Sequence, residues 1–399
     1  MARVLCAWEM GSALGHLVNL KPFVDAALKA GHQVTLAAKE LQNIGTVMRG
    51  YPITVFQAPY LHRQPRKIYP QLMSYSQLIL QRFETVDELE ILCRAWDGIF
   101  GEVKPDLVIY DFAPSAMIAS LHRPWQKWIT GNGFLVPRTD LPYLGLFPRV
   151  PKTPDNEHQL RHGDARLLTT VNAVLARRGL SAIADVRDII TRSDRRLLLT
   201  LPELDHGGVR QAEEYLGVAK QLPGREAVWP AYGDCRVFAY LAAFPMLESM
   251  LEKLSGAEFS TLIYSRDIND GVKSRFPQIR FVDQPVDMEA VAEQADMVVN
   301  MAGHTTSAQC FMAGIPQLMI PLRQEQFYLA SRVAAQGYGV VLGKDMKHLD
   351  AAMNSILALA RAGRRPFDSR RRALLSGALL EQRLAQLFAT LQPAPSDDG

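Results

Sequence analysis

Cysteine is scarce and scattered in this sequence: Cys6, Cys93, Cys235 and Cys310 are the only four in 399 residues, and no two form a C-x-x-C pair. A disulfide framework and the usual zinc spacings are therefore not expected, and a reducing cytoplasm suits the chain. Excess charge is missing too, with 44 basic residues against 41 acidic ones, so nucleic acid is not an expected partner. No apolar run approaches the length of a membrane span, and Glu9 and His16 interrupt the start, where an export signal would be basic and then apolar. Integral membrane association and export are not expected. A dinucleotide fingerprint is absent as well: the first loop offers Gly11 and Gly15 but no G-x-G-x-x-G, and no acid ends the second strand, which leaves a nicotinamide enzyme a weak reading.

What the sequence does contain is length, apolar content and alternation. At 399 residues, 48% of them hydrophobic, it suits two domains of about 200 residues. Val4 to Ala7 reads as a buried strand. Leu17, Leu20, Val24, Ala27 and Leu28 then recur at helical spacing until Gly31, and Gln33 to Ala37 is a second strand. Val103 to Phe112 is a buried strand introduced by Pro105 and ending at Asp111, where doubly wound sheets place functional groups. Another strand, Leu197 to Leu201, follows, and the Gly- and Pro-rich stretch from Pro202 to Asp234 reads as a linker. A second alternating series runs from Val237 to Leu342, implying a second parallel sheet. Helices then continue to about Leu391, the last with a stripe of Leu375, Leu379, Leu380, Leu384 and Leu387, and Pro393 to Gly399 reads as a frayed tail.

The most informative stretch is Asp296 to Gln326. It reads strand, loop, helix, strand, loop, and its helix opens through Gly303, so unpaired N–H groups and the positive dipole end make an anion site whose expected guest is a phosphate. A competing account is local, since Thr306 and Gln309 also fit an S/T-x-x-Q capping box.

This stretch resembles the donor-binding half of the family-one glycosyltransferases with the GT-B fold, the group of plant UDP-glycosyltransferases and bacterial macrolide glycosyltransferases. Gly303, Thr306, Gly314, Ile315, Pro316, Pro321, Glu325 and Gln326 fall on that motif, whereas Met301 stands at a phosphate-contacting histidine and Gln309 at a ribose-holding glutamate. Gly15-His16-Leu17 with Pro22, and Ala30 to Thr35, are similar to the family's opening. Asp283-Gln284-Pro285 matches its loop against the nucleotide base, without the stacking aromatic common in plants, and Ala242-Ala243 replaces a Gly/Ser loop.

The resemblance implies an α/β protein of two facing Rossmann-like domains: residues 1–210 for the acceptor, 211–372 for the nucleotide sugar, and 373–399 a helix returning to the first domain. The implied reaction is inverting, metal-independent transfer of a sugar, of hexosyltransferase type, from a UDP- or dTDP-sugar to a hydroxyl of a small molecule. His16 is then the general base and Asp111 its orienting acid, while Gln284, Gly303, His304, Thr305, Thr306, Gln309, Glu325 and Gln326 bind the donor. The nucleoside-diphosphate sugar is a co-substrate and no cofactor is implied. A nucleotide sugar and a small-molecule acceptor are the partners, with a weak homodimer at most. The departures at Met301 and Gln309 keep an accessory GT-B protein with an impaired donor site as the alternative, and a nucleotide-sugar 2-epimerase as a third.

Two weaker signals remain. The basic, aromatic stretch Tyr60 to Phe83, with Arg63, Arg66, Lys67, Tyr69 and Arg82, reads first as a solvated face. His158 and His162 have metal-ligand spacing on a helix but lack a third ligand.

Overall fold

The computed structural model describes residues 1–11, 14–62, 74–144, 151–220, 223–363 and 377–393. The chain divides into two compact units, one of residues 1–202, 206–216 and 380–399, the other of residues 203–205 and 217–379. The first is built on seven strands: β1 (Arg3–Trp8), β2 (Gln33–Ala38), β3 (Thr54–Gln57), β4 (Leu107–Asp111), β5 (Gln126–Gly131), β6 (Arg195–Leu198) and β7 (Glu214–Tyr215). They pair in parallel in the order β3-β2-β1-β4-β5-β6-β7. The direction of chain progression reverses between β1 and β4, and in open α/β sheets ligands bind outside the carboxyl ends at such a reversal. β4 is buried along its whole length, as its unbroken apolar run predicts for a central parallel strand.

The second unit carries β8 (Cys235–Tyr240), β9 (Phe259–Tyr264), β10 (Arg280–Val282), β11 (Met297–Asn300), β12 (Gln317–Met319) and β13 (Gly339–Val341). These are again parallel, in the order β10-β9-β8-β11-β12-β13, with the reversal between β8 and β11. One face of this sheet, with Val237, Ala239, Leu241, Met297 and Val299, packs on the helices Leu247–Leu254 and Leu349–Arg361. Two reversal points, one per sheet, are thus the places where the fold can hold chemistry.

Several boundaries differ from the sequence reading. Val103 ends the helix Val86–Val103 rather than opening a strand; Lys104 takes a left-handed turn at φ 47°, and β4 begins at Leu107. β6 stops at Leu198, short of Leu201, where its pairing with β5 and β7 ends. The last described helix, Ala378–Ala389, packs within the first unit: His32 bonds the Phe388 carbonyl at 3.0 Å, and Trp128 lies against the Phe388 ring. Its buried stripe is Leu380, Leu384, Leu387 and Phe388, while Leu379 is exposed because it falls on the opposite side of the turn. Leu375 and residues 394–399 lie outside the described residues.

Candidate functional site

At the reversal of the first sheet, the helix Gly15–Lys29 starts after β1 and brings His16 to the end of β4. His16 Nδ1 lies 3.0 Å from Asp111 Oδ2, with both side chains buried. A carboxylate only accepts, so the bond assigns the proton to Nδ1 and leaves Nε2 as the basic nitrogen. The second carboxylate oxygen, Asp111 Oδ1, is buried with no hydrogen-bond partner among the described residues. The imidazole is held between two rings, Trp8 stacked at 5.0 Å and Phe112 at 6.2 Å. Phe112 reaches that position by adopting φ 51°, an uncommon conformation for a bulky residue and one often found at functional sites. Nε2 faces Gly11, whose own φ is +81°.

The loop that carries these groups is fastened from behind by Glu9. Its carboxylate accepts from Ser115 N and Oγ, Ala116 N and Trp96 Nε1, at 2.6 to 3.1 Å, and so sits on the amino end of the helix Pro114–Ala119. Burial pushes its carboxyl upward, against the pull of Arg82 and of the Ser115 and Ala116 donors. Met10 N–H donates to the Phe112 carbonyl at 3.1 Å, tying the β1 loop directly to β4. Glu9 shows no periodicity or motif in the sequence, and nothing there signals its role. Arg82, read as part of a solvated face, is largely buried, 3.9 Å from Glu9 and over the Tyr60 ring, because the carboxylate needs a counter-charge. Arg63, Arg66, Lys67 and Tyr69 lie outside the described residues.

At the reversal of the second sheet, the helix His304–Met312 begins at Gly303 with no side-chain cap. The capping-box account of Thr306 and Gln309 is therefore wrong: Thr306 lies inside the first turn rather than at the cap. The turn is set from below by a buried amide cluster. Asn300 Oδ1 accepts from Ala302 N at 2.7 Å and from Ser307 Oγ at 3.1 Å, Asn300 Nδ2 donates to Gln317 Oε1, and Gln317 Nε2 donates to the Ser307 carbonyl. This cluster holds Ala302 at φ 55°, where a Cβ is strained.

The donor candidates are disposed differently from one another. His304 and Thr305 are half-buried at the helix start and Thr306 is buried. Although part of His304 reaches solvent, burial of its ring pushes the imidazole down to about 4, with Asp205 pulling the other way. Gln309 is buried and its Oε1 has no partner among the described residues. Gln284 is exposed in the loop after β10. Glu325 is half-buried, and Gln326 Oε1 accepts from Leu322 N and Arg323 N, capping its own helix Gln324–Ala335. Met301 turns its sulfur back to accept the Ala242 N–H at 3.0 Å, which joins the loops after β8 and β11 across the reversal. His158 and His162 stack on each other at 6.4 Å, and among the described residues no group of three His, Cys, Asp or Glu can hold a metal ion. No described helix is long and apolar enough to cross a membrane.

Comparison with known proteins bears on both halves. Residues 265–383 match the glycosyltransferase family 28 C-terminal domain. No curated relative matches the chain by sequence. Among solved structures, the glycosyltransferase of kitacinnamycin is similar over 98% of this chain and 100% of its own, with a TM-score of 0.70 and 17% identity. The calicheamicin glycosyltransferase is similar over 97% and 95%, with a TM-score of 0.65 and 16% identity. A glycosyltransferase crystallised with dTDP covers 96% of this chain and 100% of its own, at a TM-score of 0.61 and 17% identity. At such identities the likeness is one of fold. That fold is GT-B, with one parallel α/β sheet in each domain.

Proposed function

We propose that this GT-B protein, with its family 28 C-terminal domain, transfers a sugar from a nucleoside-diphosphate sugar to a hydroxyl of a small-molecule acceptor, with inversion and without a metal. The carrying observation is the His16–Asp111 pair at the reversal of the first sheet. An alcohol is a poor nucleophile at neutral pH, and an imidazole placed to take its proton contributes about 10²- to 10⁴-fold. His16 Nε2 takes the hydroxyl proton as the oxygen bonds the anomeric carbon, and the bond from that carbon to the diphosphate breaks. Asp111 holds the required tautomer and stabilises the imidazolium that forms. The departing diphosphate takes the electron pair, and the amino end of the helix His304–Met312 stabilises its charge.

A dTDP-sugar or UDP-sugar is the donor we assign, and the neighbour crystallised with dTDP supports the choice. Gln284, Gly303, His304, Thr305, Thr306 and Gln309 are assigned to the donor nucleotide, and Glu325 and Gln326 to the sugar. The test incubates the protein with dTDP- and UDP-hexoses and a panel of phenolic and polyketide alcohols, reading glycoside by mass spectrometry and released nucleoside diphosphate. His16→Ala should abolish glycoside formation while donor affinity stays within a few-fold. Equal turnover in His16→Ala removes the base assignment.

One observation favours a second reading, an accessory GT-B protein with a weakened donor site. Met301 spends its side chain on the Ala242 amide, where the resembling family has a histidine on the phosphates. A charge-assisted hydrogen bond is worth about 1.5 to 3 kcal/mol, or one to two decades of affinity. Met301→His should gain little donor affinity in a site that has compensated, and about that full amount in one that has decayed.

A further inference from the structure

Two tyrosines end neighbouring strands of the second sheet. Tyr240 closes β8 and Tyr264 closes β9, and the two are paired in register, so both side chains rise from one face of the sheet. That face is opposite the one bearing Leu241, Ala239 and the helices packed on them. The rings stack at 4.8 Å with 21° between planes, a separation equal to the spacing of adjacent strands, so each ring stands upright over its own strand. The Arg266 guanidinium lies over the Tyr264 ring, 5.9 Å from its centroid, and Tyr264 is buried. Tyr240 is 42% exposed, which is unusual for a large ring at the end of a central strand.

The exposed ring face has a definite direction. Tyr264 covers the side of Tyr240 toward β9, so the open side looks toward β11, where the register partner is Asn300. Asn300 is short and fully engaged in the amide cluster beneath the turn to Gly303. The open face of Tyr240 therefore borders the space beside the amino end of the helix His304–Met312. The chain from β10 passes Gln284 and enters the helix Met288–Gln294, which leads to β11. The loop Asp283-Gln284-Pro285 lacks the stacking aromatic common in the resembling family, whereas an aromatic, Tyr240, ends the neighbouring strand β8.

We propose that the ring of Tyr240, backed by Tyr264, is the surface on which the donor's nucleobase stacks, so that Tyr240 stands in for the aromatic lacking in the loop Asp283-Gln284-Pro285. This rests on the reading of the second unit as the donor half. An aromatic platform recognises the π-face of any base, leaving the choice of base to edge groups such as the Gln284 amide. Base–aromatic stacking is worth enough for truncation to weaken binding about ten- to a hundred-fold.

The test is calorimetry on the full chain with dTDP, UDP and inorganic pyrophosphate as probes. Tyr240→Ala should weaken both nucleotides ten- to a hundred-fold and leave pyrophosphate unchanged, and Tyr240→Phe should bind like the parent protein. Tyrosine fluorescence should be quenched by dTDP in the parent and less so in Tyr240→Ala. Equal loss in Tyr240→Phe and Tyr240→Ala shows a hydroxyl contact and overturns stacking, as does unchanged nucleotide binding in Tyr240→Ala. If the parent protein binds neither nucleotide, the donor assignment itself fails, and the platform with it.

Discussion

A methyl group added at Gly11 would lie 2.2 Å from His16 Nε2, well inside contact distance. The glycine is thus what keeps the basic nitrogen of the dyad accessible, and its φ of +81° makes any side chain there strained as well. Gly11→Ala should cost the protein about 1 to 2 kcal/mol of stability. It should also cost transfer about 10²- to 10⁴-fold, the contribution of a placed base. Donor affinity should be unchanged, since the residues proposed for the donor lie in the other unit. Circular dichroism melts with initial rates check this; full activity in a folded Gly11→Ala protein shows that Nε2 is not the working atom.

The amide cluster beneath the second site supplies a stability test. Gln317→Leu leaves Asn300 Nδ2 and the Ser307 carbonyl without their buried partners, for a loss of about 1 to 3 kcal/mol. The denaturant midpoint should fall while the slope stays constant, because the exposed surface on unfolding is unchanged. An unaltered midpoint shows the cluster to be loosely made.

Acid should destabilise the protein partly through His304. Its folded imidazole is held at about 4, below the ordinary value near 6.5. Between those values the unfolded chain takes up a proton that the folded chain refuses. The contribution is therefore complete above pH 6.5 and lost as pH falls toward 4. Urea midpoints at pH 7.5 and 5 should separate more in the parent protein than in His304→Gln. If bound diphosphate draws a proton onto His304, affinity for dTDP falls as pH rises through the value in the complex, and His304→Ala flattens the curve.

Glu325 and Gln326 should part company despite being adjacent. Truncating Glu325 should weaken a sugar nucleotide far more than the bare nucleotide, which lacks the sugar hydroxyls. Gln326→Ala should in addition lower thermal stability by about 1 kcal/mol, since its Oε1 caps two amides at the start of the helix. Equal losses for both ligands in calorimetry remove Glu325 from the sugar.

Local order in the sequence sufficed for the two alternating series, for the strand that delivers Asp111, and for the glycine that opens the helix His304–Met312. Each is written in periodicity, in Pro and Gly, or in a motif of contiguous spacing, and the physics behind these signals acts over a few residues. Tertiary structure alone decided the rest. His16 and Asp111 stand 95 positions apart, and only parallel pairing of β1 with β4 makes them neighbours. Trp8 and Phe112 become a sandwich for the imidazole by that same pairing. Glu9 looked like an interruption of an apolar start, but the helix Pro114–Ala119 and Arg82 turn it into the fastening of the loop. Met301 and Gln326 matched or missed a motif by position, yet their side chains serve the protein's own amides. Which way a side chain turns depends on which unsatisfied group lies nearest in space, and that is a property of the packed sheet and its loops rather than of neighbours along the chain.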